Sequence, residues 1–191
     1  MEVIAPDLNV PDFSRLSAHA ALRVVVTEIR DWIANSREGE QLIPIANSFG
    51  AFLVLHALLA LRAEELCRIP RAILIAPAID PWSPSGTLLT AGRLHEWQNS
   101  GEFPLFCIPQ KQLVPVHFTF VEELTQLGIP KWDDRIQIHI VHGVRDTVVP
   151  IADSRRFVAE HRDVTLDEME GDHLLLEDPE ALLQVVSLRL F

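Results

Sequence analysis

The feature that most constrains how this chain can fold is an apolar run, residues 42–47, that leads into a serine and then into a long apolar helix pattern. Ser48 has Ala46 two positions before it and Gly50 two positions after it. In the pattern small-x-Ser-x-Gly, a buried strand turns sharply into a helix and exposes the serine oxygen at the apex. The segment alone fits two interpretations equally well, a nucleophile at such a turn or an ordinary turn in which Ser48 caps the helix.

Composition limits the classes of protein to consider. The chain has 191 residues with 48% apolar content, which predicts one domain, 1–191, with a substantial core. Its formal net charge of −11 argues against nucleic acid and anionic membrane surfaces as partners. Cys67 and Cys107 lack metal-ligand or redox spacing, and neither a signal peptide nor a membrane-spanning run is evident. We therefore expect a cytoplasmic protein whose thiols fill core space and bind no metal.

Strand-like and helix-like segments alternate along most of the chain. Short apolar runs predict strands at 2–5, 42–47, 71–76, 136–141 and 164–169. Apolar residues three and four apart, together with capping residues, predict helices at 17–36, 49–67, 153–160 and 179–188. This alternation is typical of an α/β fold with a mainly parallel sheet of about five strands and helices on both faces. Residues 80–134 interrupt it, are rich in proline and aromatic residues, and are predicted to form an inserted cap between the third and fourth strands.

Three chemically related residues follow strands of the predicted sheet. Ser48 follows the second strand, Asp146 the fourth and His173 the fifth. The carboxyl ends of parallel strands share one edge of the sheet, where ligands bind. A serine needs a histidine to take its proton, and the histidine needs a carboxylate to hold its tautomer and stabilise its charged form. The order Ser, Asp, His thus predicts a catalytic triad.

Each member of this set also has a structural interpretation. The alternative for Asp146 is that it caps its own turn, and the alternative for His173 is that it is an ordinary surface histidine. We interpret three other histidines as structural, and two further acids compete with Asp146: His56, His139 and His142; Asp80 and Asp172. Because three separate signals fall in order at the correct strand ends, the triad is the favoured interpretation.

The motifs resemble those of the α/β-hydrolase superfamily. They are Ala-Asn-Ser-Phe-Gly at 46–50, His-Gly-x-x-Asp-x-Val-Val-Pro at 142–150 and Gly-Asp-His at 171–173. Segments 5–9, 11–13 and 76–78 are similar to the small bacterial YqiA/YcfP-like esterases. The resemblance implies hydrolysis of carboxylic esters or thioesters without a cofactor. It implies Ser48 as nucleophile, His173 as base and then acid, and Asp146 as the orienting acid.

The sequence departs from that family at its beginning. The family has an additional strand that ends in a His-Gly loop and supplies half of the oxyanion hole, and this sequence begins at the strand after it. The amide of Phe49 supplies the other half. We expect either that 2–5 pairs with 42–47, or, as the favoured alternative, that the chain is a truncated form with an internal start at Met1. Loss of one oxyanion donor costs about 2.7 to 4 kcal/mol of transition-state stabilisation.

An assignment of aromatic residues and two alternative functions complete the prediction. Trp82, Trp97 and Phe118 of the cap are candidates to bind an acyl chain, although ordinary core packing explains each equally well. The alternative functions are a non-catalytic or weakened binding protein that keeps the hydrolase fold, and a non-ester hydrolase or peptidase on the same scaffold. The sequence does not indicate an oligomeric state.

Overall fold

The structure is a computed structural model that describes residues 2–87, 89–107 and 109–190; the suggested start at Met1 lies outside them. Strands in chain order are β1 (Ile45–Asn47), β2 (Arg71–Ile75), β3 (Glu102–Cys107), β4 (Gln112–His117), β5 (Gln137–Gly143) and β6 (Val164–Met169). Helices are α1 (Ala18–Asn35), α2 (Ser48–Ala60), α3 (Ala63–Leu66), α4 (Ala91–Ser100), α5 (Thr119–Leu127), α6 (Ile151–Glu160) and α7 (Pro179–Leu190). Within these residues the main sheet is parallel, with strand order β1-β2-β5-β6, and β3 and β4 form a separate antiparallel hairpin.

Both faces of the main sheet are covered, as the sequence predicts. Leu74 on β2 and Ile140 on β5 are fully buried in the larger core, which also contains residues of α1, α2 and α6. Their neighbours Ile73 and Val141 point to the opposite face and pack in a smaller core with Val186 of α7. Successive strand residues alternate between faces, so continuous apolar strands require helices on both sides. The predicted parallel α/β sheet is confirmed.

The first helix follows its sequence signals closely. Ser17 is its N-cap, and the Ser17 hydroxyl oxygen accepts a hydrogen bond from the Ala20 amide at 3.0 Å. The residues of α1 at helical spacing that face inward are Ala18, Ala21, Val25 and Ile29. This apolar stripe packs against α2, the helix that begins at Ser48. The α1–α2 packing therefore helps to fix the position of the helix that begins at Ser48.

The strand that precedes Ser48 is shorter than predicted. Regular pairing begins at Ile45, because Pro44 has no amide hydrogen to contribute to the ladder. The Pro44 carbonyl still accepts a hydrogen bond from Ile73 at 2.9 Å, which holds the preceding residues beside β2. The remaining three residues of β1 lead directly into α2.

The prediction of a strand at 2–5 is wrong. Residues 2–5 have no regular secondary structure, and the side chains of Val3 and Ile4 are exposed. An apolar run becomes a strand only where a neighbouring strand accepts its backbone hydrogen bonds. Within the described residues β1 pairs with β2 alone, so 2–5 does not move over to pair with it. The described main sheet accordingly has four strands rather than five.

The predicted helix at 49–67 is two helices. α2 ends at Ala60, and α3 begins after Arg62, whose amide donates to the Glu65 carboxylate at 2.7 Å. This side-chain cap competes locally with continuation of the helix. The segment is strongly apolar, yet no helix in the described portion is long and apolar enough to cross a membrane.

The segment predicted as a cap, 80–134, contains α4, the β3–β4 hairpin and α5. Pro104 and Pro115 occupy opposite positions in the hairpin. A two-stranded ribbon has two free edges, where proline is tolerated because its missing amide hydrogen is not needed. Trp97 of α4 is fully buried and belongs to the larger core, and α5 of the same segment packs against α1.

Candidate active site

The turn between β1 and α2 places Ser48 at the carboxyl edge of the sheet. Ser48 has a φ of +50°, a left-handed backbone conformation that is strained for any residue with a side chain. Gly50 is less essential than the motif suggests, because an added Cβ would meet Ala46 and Leu8 only at 3.8 Å, an ordinary contact distance. The strain is therefore concentrated at the serine itself.

Ser48, His173 and Asp146 form a continuous chain of hydrogen bonds. The Nε2 atom of His173 lies 2.9 Å from the Ser48 Oγ, and its Nδ1 atom lies 2.7 Å from the Asp146 Oδ2. The side chain of Asp146 is fully buried, whereas 14% of the His173 side chain is exposed. In this arrangement Nδ1–H donates to the carboxylate, and Nε2 is free to accept the serine proton. The three residues come from the ends of β1, β5 and β6.

Backbone and side-chain donors hold Asp146 in its charged form. Its Oδ1 atom accepts hydrogen bonds from the amides of Val148 and Val149, at 2.8 and 2.9 Å. Burial by itself would raise the pKa of Asp146, but hydrogen bonds from His142, His173 and Val149 outweigh it and lower that pKa well below its ordinary value. The carboxylate is therefore ionised throughout the neutral range.

The competing residues are occupied elsewhere. Asp172 accepts hydrogen bonds from the amides of Leu174 and Leu175, and Asp80 accepts one from the Trp82 amide, so both carboxylates stabilise their own turns. The rings of the two structural histidines bind local partners: His56 the Gly128 carbonyl and His139 the Thr165 hydroxyl. Of the acids weighed in the sequence, the structure brings only Asp146 to His173.

Gly143, the second residue of the His-Gly motif, allows the loops after β5 and β6 to meet. A Cβ at this position would collide with the carbonyl oxygens of Gly171 and Asp172, the former at 2.6 Å. The Arg145 amide donates to the Gly171 carbonyl at 2.9 Å across the same contact. Sequence reasoning missed this residue, although a glycine directly after a buried strand is a signal of close backbone approach.

Comparison with known proteins gives structural matches. Neither the family models nor the curated proteins compared with the sequence gave a match. Est1E from Butyrivibrio proteoclasticus, in a structure with ferulic acid bound, aligns with a TM-score of 0.68 at 19% identity, over 91% of this chain and 68% of that chain. Mouse alpha/beta hydrolase domain-containing protein 10 aligns with a TM-score of 0.60 at 22% identity, over 88% and 68%.

A monoacylglycerol lipase from Paleococcus ferrophilus also aligns, with a TM-score of 0.60 at 16% identity, over 88% of this chain and 72% of that chain. This chain has the α/β-hydrolase fold. The broader resemblance inferred from the motifs is thus confirmed at the level of the fold, and the narrower similarity to YqiA/YcfP-like esterases stays a prediction.

In an α/β-hydrolase fold, the amide after the serine is in position to bind an oxyanion. Here that amide belongs to Phe49, in the first turn of α2, where helix amides have no intrahelical acceptor. Asn47, the N-cap of α2, makes no side-chain hydrogen bond to these amides. The positive end of the helix therefore lies beside Ser48, which favours negative charge there.

A small apolar cavity of about 80 Å³ adjoins Ser48. Phe120 and Leu124 of α5 form one side of it, and Val148 and Val149 after β5 form another. Phe49 also lines the cavity and contacts Phe120 edge to face, with 5.2 Å between ring centroids. The hydrolase fold therefore presents its serine to a narrow, largely hydrophobic space.

The aromatic residues predicted to bind an acyl chain are not among the described residues that line this cavity. Trp97 is fully buried, and its indole nitrogen donates to the Val116 carbonyl at 2.7 Å. Phe118 packs edge to face against Trp97, at 6.4 Å between centroids, and Trp82 is partly buried against the larger core. Core packing, the alternative considered for these residues, describes their environment, and Phe120 and Leu124 occupy the cavity wall instead.

Among residues 2–87, 89–107 and 109–190, no cluster of three or more histidine, cysteine or acidic side chains is arranged to hold a metal ion. Cys67 is exposed and Cys107 is buried, and both are free thiols.

Proposed function

We propose that this chain is a serine hydrolase that cleaves carboxylic esters or thioesters through an acyl-serine intermediate. The observation that carries the proposal is the hydrogen-bond chain from Ser48 through His173 to Asp146, at 2.9 and 2.7 Å, with Ser48 on a strained strand-to-helix turn. Support also comes from the similarity to solved hydrolase and esterase structures, which concerns the fold.

In the first half of the reaction, Ser48 Oγ attacks the carbonyl carbon and His173 Nε2 takes the hydroxyl proton. The resulting imidazolium lies between the nucleophile and the Asp146 carboxylate, which stabilises its positive charge. The amide of Phe49 donates a hydrogen bond to the carbonyl oxygen as that oxygen becomes negative. His173 then returns the proton to the departing alkoxide or thiolate, which leaves an acyl group on Ser48.

In the second half, a water molecule replaces the leaving group. His173 takes a proton from the water, hydroxide attacks the acyl carbon, and the proton passes to Ser48 Oγ as the carboxylic acid departs. The exposed fraction of the His173 side chain, 14%, provides a route for that water. The small cavity is suited to hold the acyl group beside Ser48 in both halves.

A fluorophosphonate probe tests the nucleophile directly. We expect the probe to form a covalent adduct with Ser48, because only an activated serine attacks phosphorus at a useful rate. Peptide mass mapping identifies the modified residue, and heat-denatured protein is the control. A folded protein that leaves Ser48 unmodified contradicts the proposal and favours the binding-protein alternative.

The size of the cavity predicts a preference for short acyl groups. A volume of about 80 Å³ is well below the roughly 300 to 1,000 Å³ of pockets for drug-sized ligands. We expect kcat/KM for p-nitrophenyl acetate and butanoate to exceed that for the octanoate by about tenfold or more, because even one methylene that a hydrophobic pocket does not accommodate costs roughly 1 to 3 kcal/mol.

The matched variant for this test is Leu124→Ala, which removes side-chain volume from the cavity wall. It should move the preferred chain length upward while acetate turnover changes little. Thermal denaturation checks that the variant is folded, since loss of a buried leucine costs about 2 to 5 kcal/mol. Equal or greater activity of the wild type on octanoate would falsify the short-chain assignment and leave the serine mechanism intact.

A further inference from the structure

His142, the first residue of the His-Gly motif, touches the triad at a site that the mechanism above does not use. Its side chain is fully buried at the end of β5. Its Nε2 atom lies 3.1 Å from the Asp146 Oδ2 and 3.1 Å from the Val149 carbonyl oxygen. Its Nδ1 atom lies 2.8 Å from the Ser154 hydroxyl oxygen. The sequence offered no reason to connect His142 with the triad, because these contacts arise only in the fold.

The chemistry of these partners fixes the direction of each hydrogen bond. A carboxylate and a backbone carbonyl are acceptors only, so the neutral imidazole carries its hydrogen on Nε2 and donates it towards Asp146 and Val149. Nδ1 is then an acceptor and receives the hydroxyl hydrogen of Ser154. Ser154, which is also fully buried on α6, thereby satisfies Nδ1 in the tautomer in which His142 donates to Asp146.

We propose that His142 is a positioning residue for the hydrolysis, which holds the Asp146 carboxylate in the orientation that His173 requires. The inference rests on the proposed function, since it concerns the efficiency of the same triad. Asp146 Oδ2 is the atom that accepts from both His142 and His173, while Oδ1 accepts from two backbone amides. Donors on both oxygens prevent rotation of the carboxylate about its terminal bond.

A role in packing alone explains this arrangement less well than the positioning role does. A buried histidine that only fills space could satisfy its nitrogens with any nearby groups, whereas His142 donates to the oxygen that orients the catalytic imidazole. The other charged groups close to it are limited: its register partner on β6 is Glu168, which is already paired with Arg155 at 2.6 Å. Asp146 is therefore the charged group that the Nε2–H of His142 addresses.

The predicted consequence is a slower chemical step with unchanged substrate binding. His142 is fully buried and does not line the cavity, so its replacement should leave KM unaltered. His142→Leu should lower kcat by about tenfold to a hundredfold, because small errors in the placement of a catalytic group have effects of that size. Equal falls in kcat and kcat/KM are the signature of an interaction made mainly in the transition state.

The experiment compares four proteins on p-nitrophenyl acetate: wild type, His142→Leu, His142→Gln and His139→Leu. The glutamine amide donates from nearly the same position as Nε2, so His142→Gln should recover most of the lost kcat. His139 lies on the same strand and bonds to Thr165, so His139→Leu is the matched control with wild-type kcat. Circular dichroism corrects each rate for the folded fraction.

A second pair of variants tests the role of Ser154. Ser154→Ala should lower kcat less than His142→Leu does, and it should have no additional effect in a His142→Leu background, because Ser154 acts through His142. If the two substitutions instead lower kcat by independent factors that multiply in the double variant, Ser154 does not act through His142.

The outcomes separate this inference from the proposed function. Wild-type turnover that depends on Ser48, together with wild-type kcat in His142→Leu, overturns the positioning role alone. Equal loss of kcat in the leucine and glutamine variants also overturns it, since a donor at that position would then be irrelevant. Absence of Ser48-dependent turnover in the wild type overturns both. A lower kcat in His142→Leu, together with recovery of kcat in His142→Gln, supports the positioning role.

Discussion

Ser48→Ala is expected to lower kcat for p-nitrophenyl acetate by roughly 10⁴-fold or more. The substitution removes one oxygen atom, and with it the bond-forming atom of the proposed reaction and the partner of His173 Nε2 at 2.9 Å. Removal of a serine nucleophile leaves only the rate acceleration that the oxyanion site and substrate binding supply, because the members of a triad act as a unit. Initial rates at saturating substrate measure the effect.

Ser85→Ala is the matched control for this experiment. Ser85 is exposed and belongs to the segment that approaches the cavity at Gly86. Its replacement should leave kcat and the melting temperature at their wild-type values. Comparable turnover by Ser48→Ala and the wild type would show that the observed hydrolysis does not pass through Ser48, and the proposed mechanism would then be rejected.

Asp146→Asn is expected to lower kcat by about 10⁴-fold with little change in KM. The amide nitrogen of asparagine donates where the carboxylate accepted, so His173 is driven towards the tautomer with hydrogen on Nε2. That tautomer cannot take the proton of Ser48. The imidazolium formed during attack also loses the negative charge 2.7 Å from its Nδ1 atom. Steady-state kinetics on p-nitrophenyl acetate measure the loss.

The control is Asp172→Asn, at the acid directly before His173 in the sequence. Its carboxylate serves two amides of its own turn and makes no hydrogen bond to His173 within the described chain, so an amide oxygen can replace it. We expect a change in kcat of less than about threefold, corresponding to a surface substitution of about 0.5 kcal/mol. A loss as large as that of Asp146→Asn would mean that the orienting acid is misassigned.

Elements whose formation depends on local sequence were predicted well. The helix after Ser17 has a cap and an apolar stripe within its own residues, and the strand at Val164–Met169 has the predicted bounds. The position of Ser48, Asp146 and His173 after three strands of the parallel sheet also follows from the sequence, because parallel strands bring their carboxyl ends to one edge. The sequence could thus supply the fold class and the candidate triad.

Elements that depend on a distant partner were predicted less well. Residues 2–5 have the apolar pattern of a strand, but pattern does not reveal whether a neighbour is present to pair with it. The sequence does not predict the β3–β4 hairpin, because Pro104 and Pro115 argue against strands unless both prolines lie on free edges. The break between α2 and α3 has no glycine or proline to mark it and is due to the capping of Arg62 by Glu65.

In the candidate site, too, some features follow from local sequence and others depend on distant partners. The proximity of Ser48, Asp146 and His173 could be predicted because each follows its own strand, whereas the environment of Asp146 could not. His142 contacts Asp146 and Ser154, and the direction of a side chain at the end of a strand is set by the helix packed on it. Trp97 was an attractive acyl-binding candidate because it is aromatic, but composition does not distinguish a cavity wall from a buried core.

The tight contact at Gly143 has a consequence for how the site is assembled. Hydrogen bonds from Val144 to Met169 and from Arg145 to Gly171 continue the β5–β6 ladder beyond the strands, so the acid and the base are carried by one continuous backbone unit. Ser48 follows β1, which is separated from β5 by β2 in the same sheet. We therefore expect the Asp146–His173 distance, which this ladder sets, to vary less than the Ser48–His173 distance.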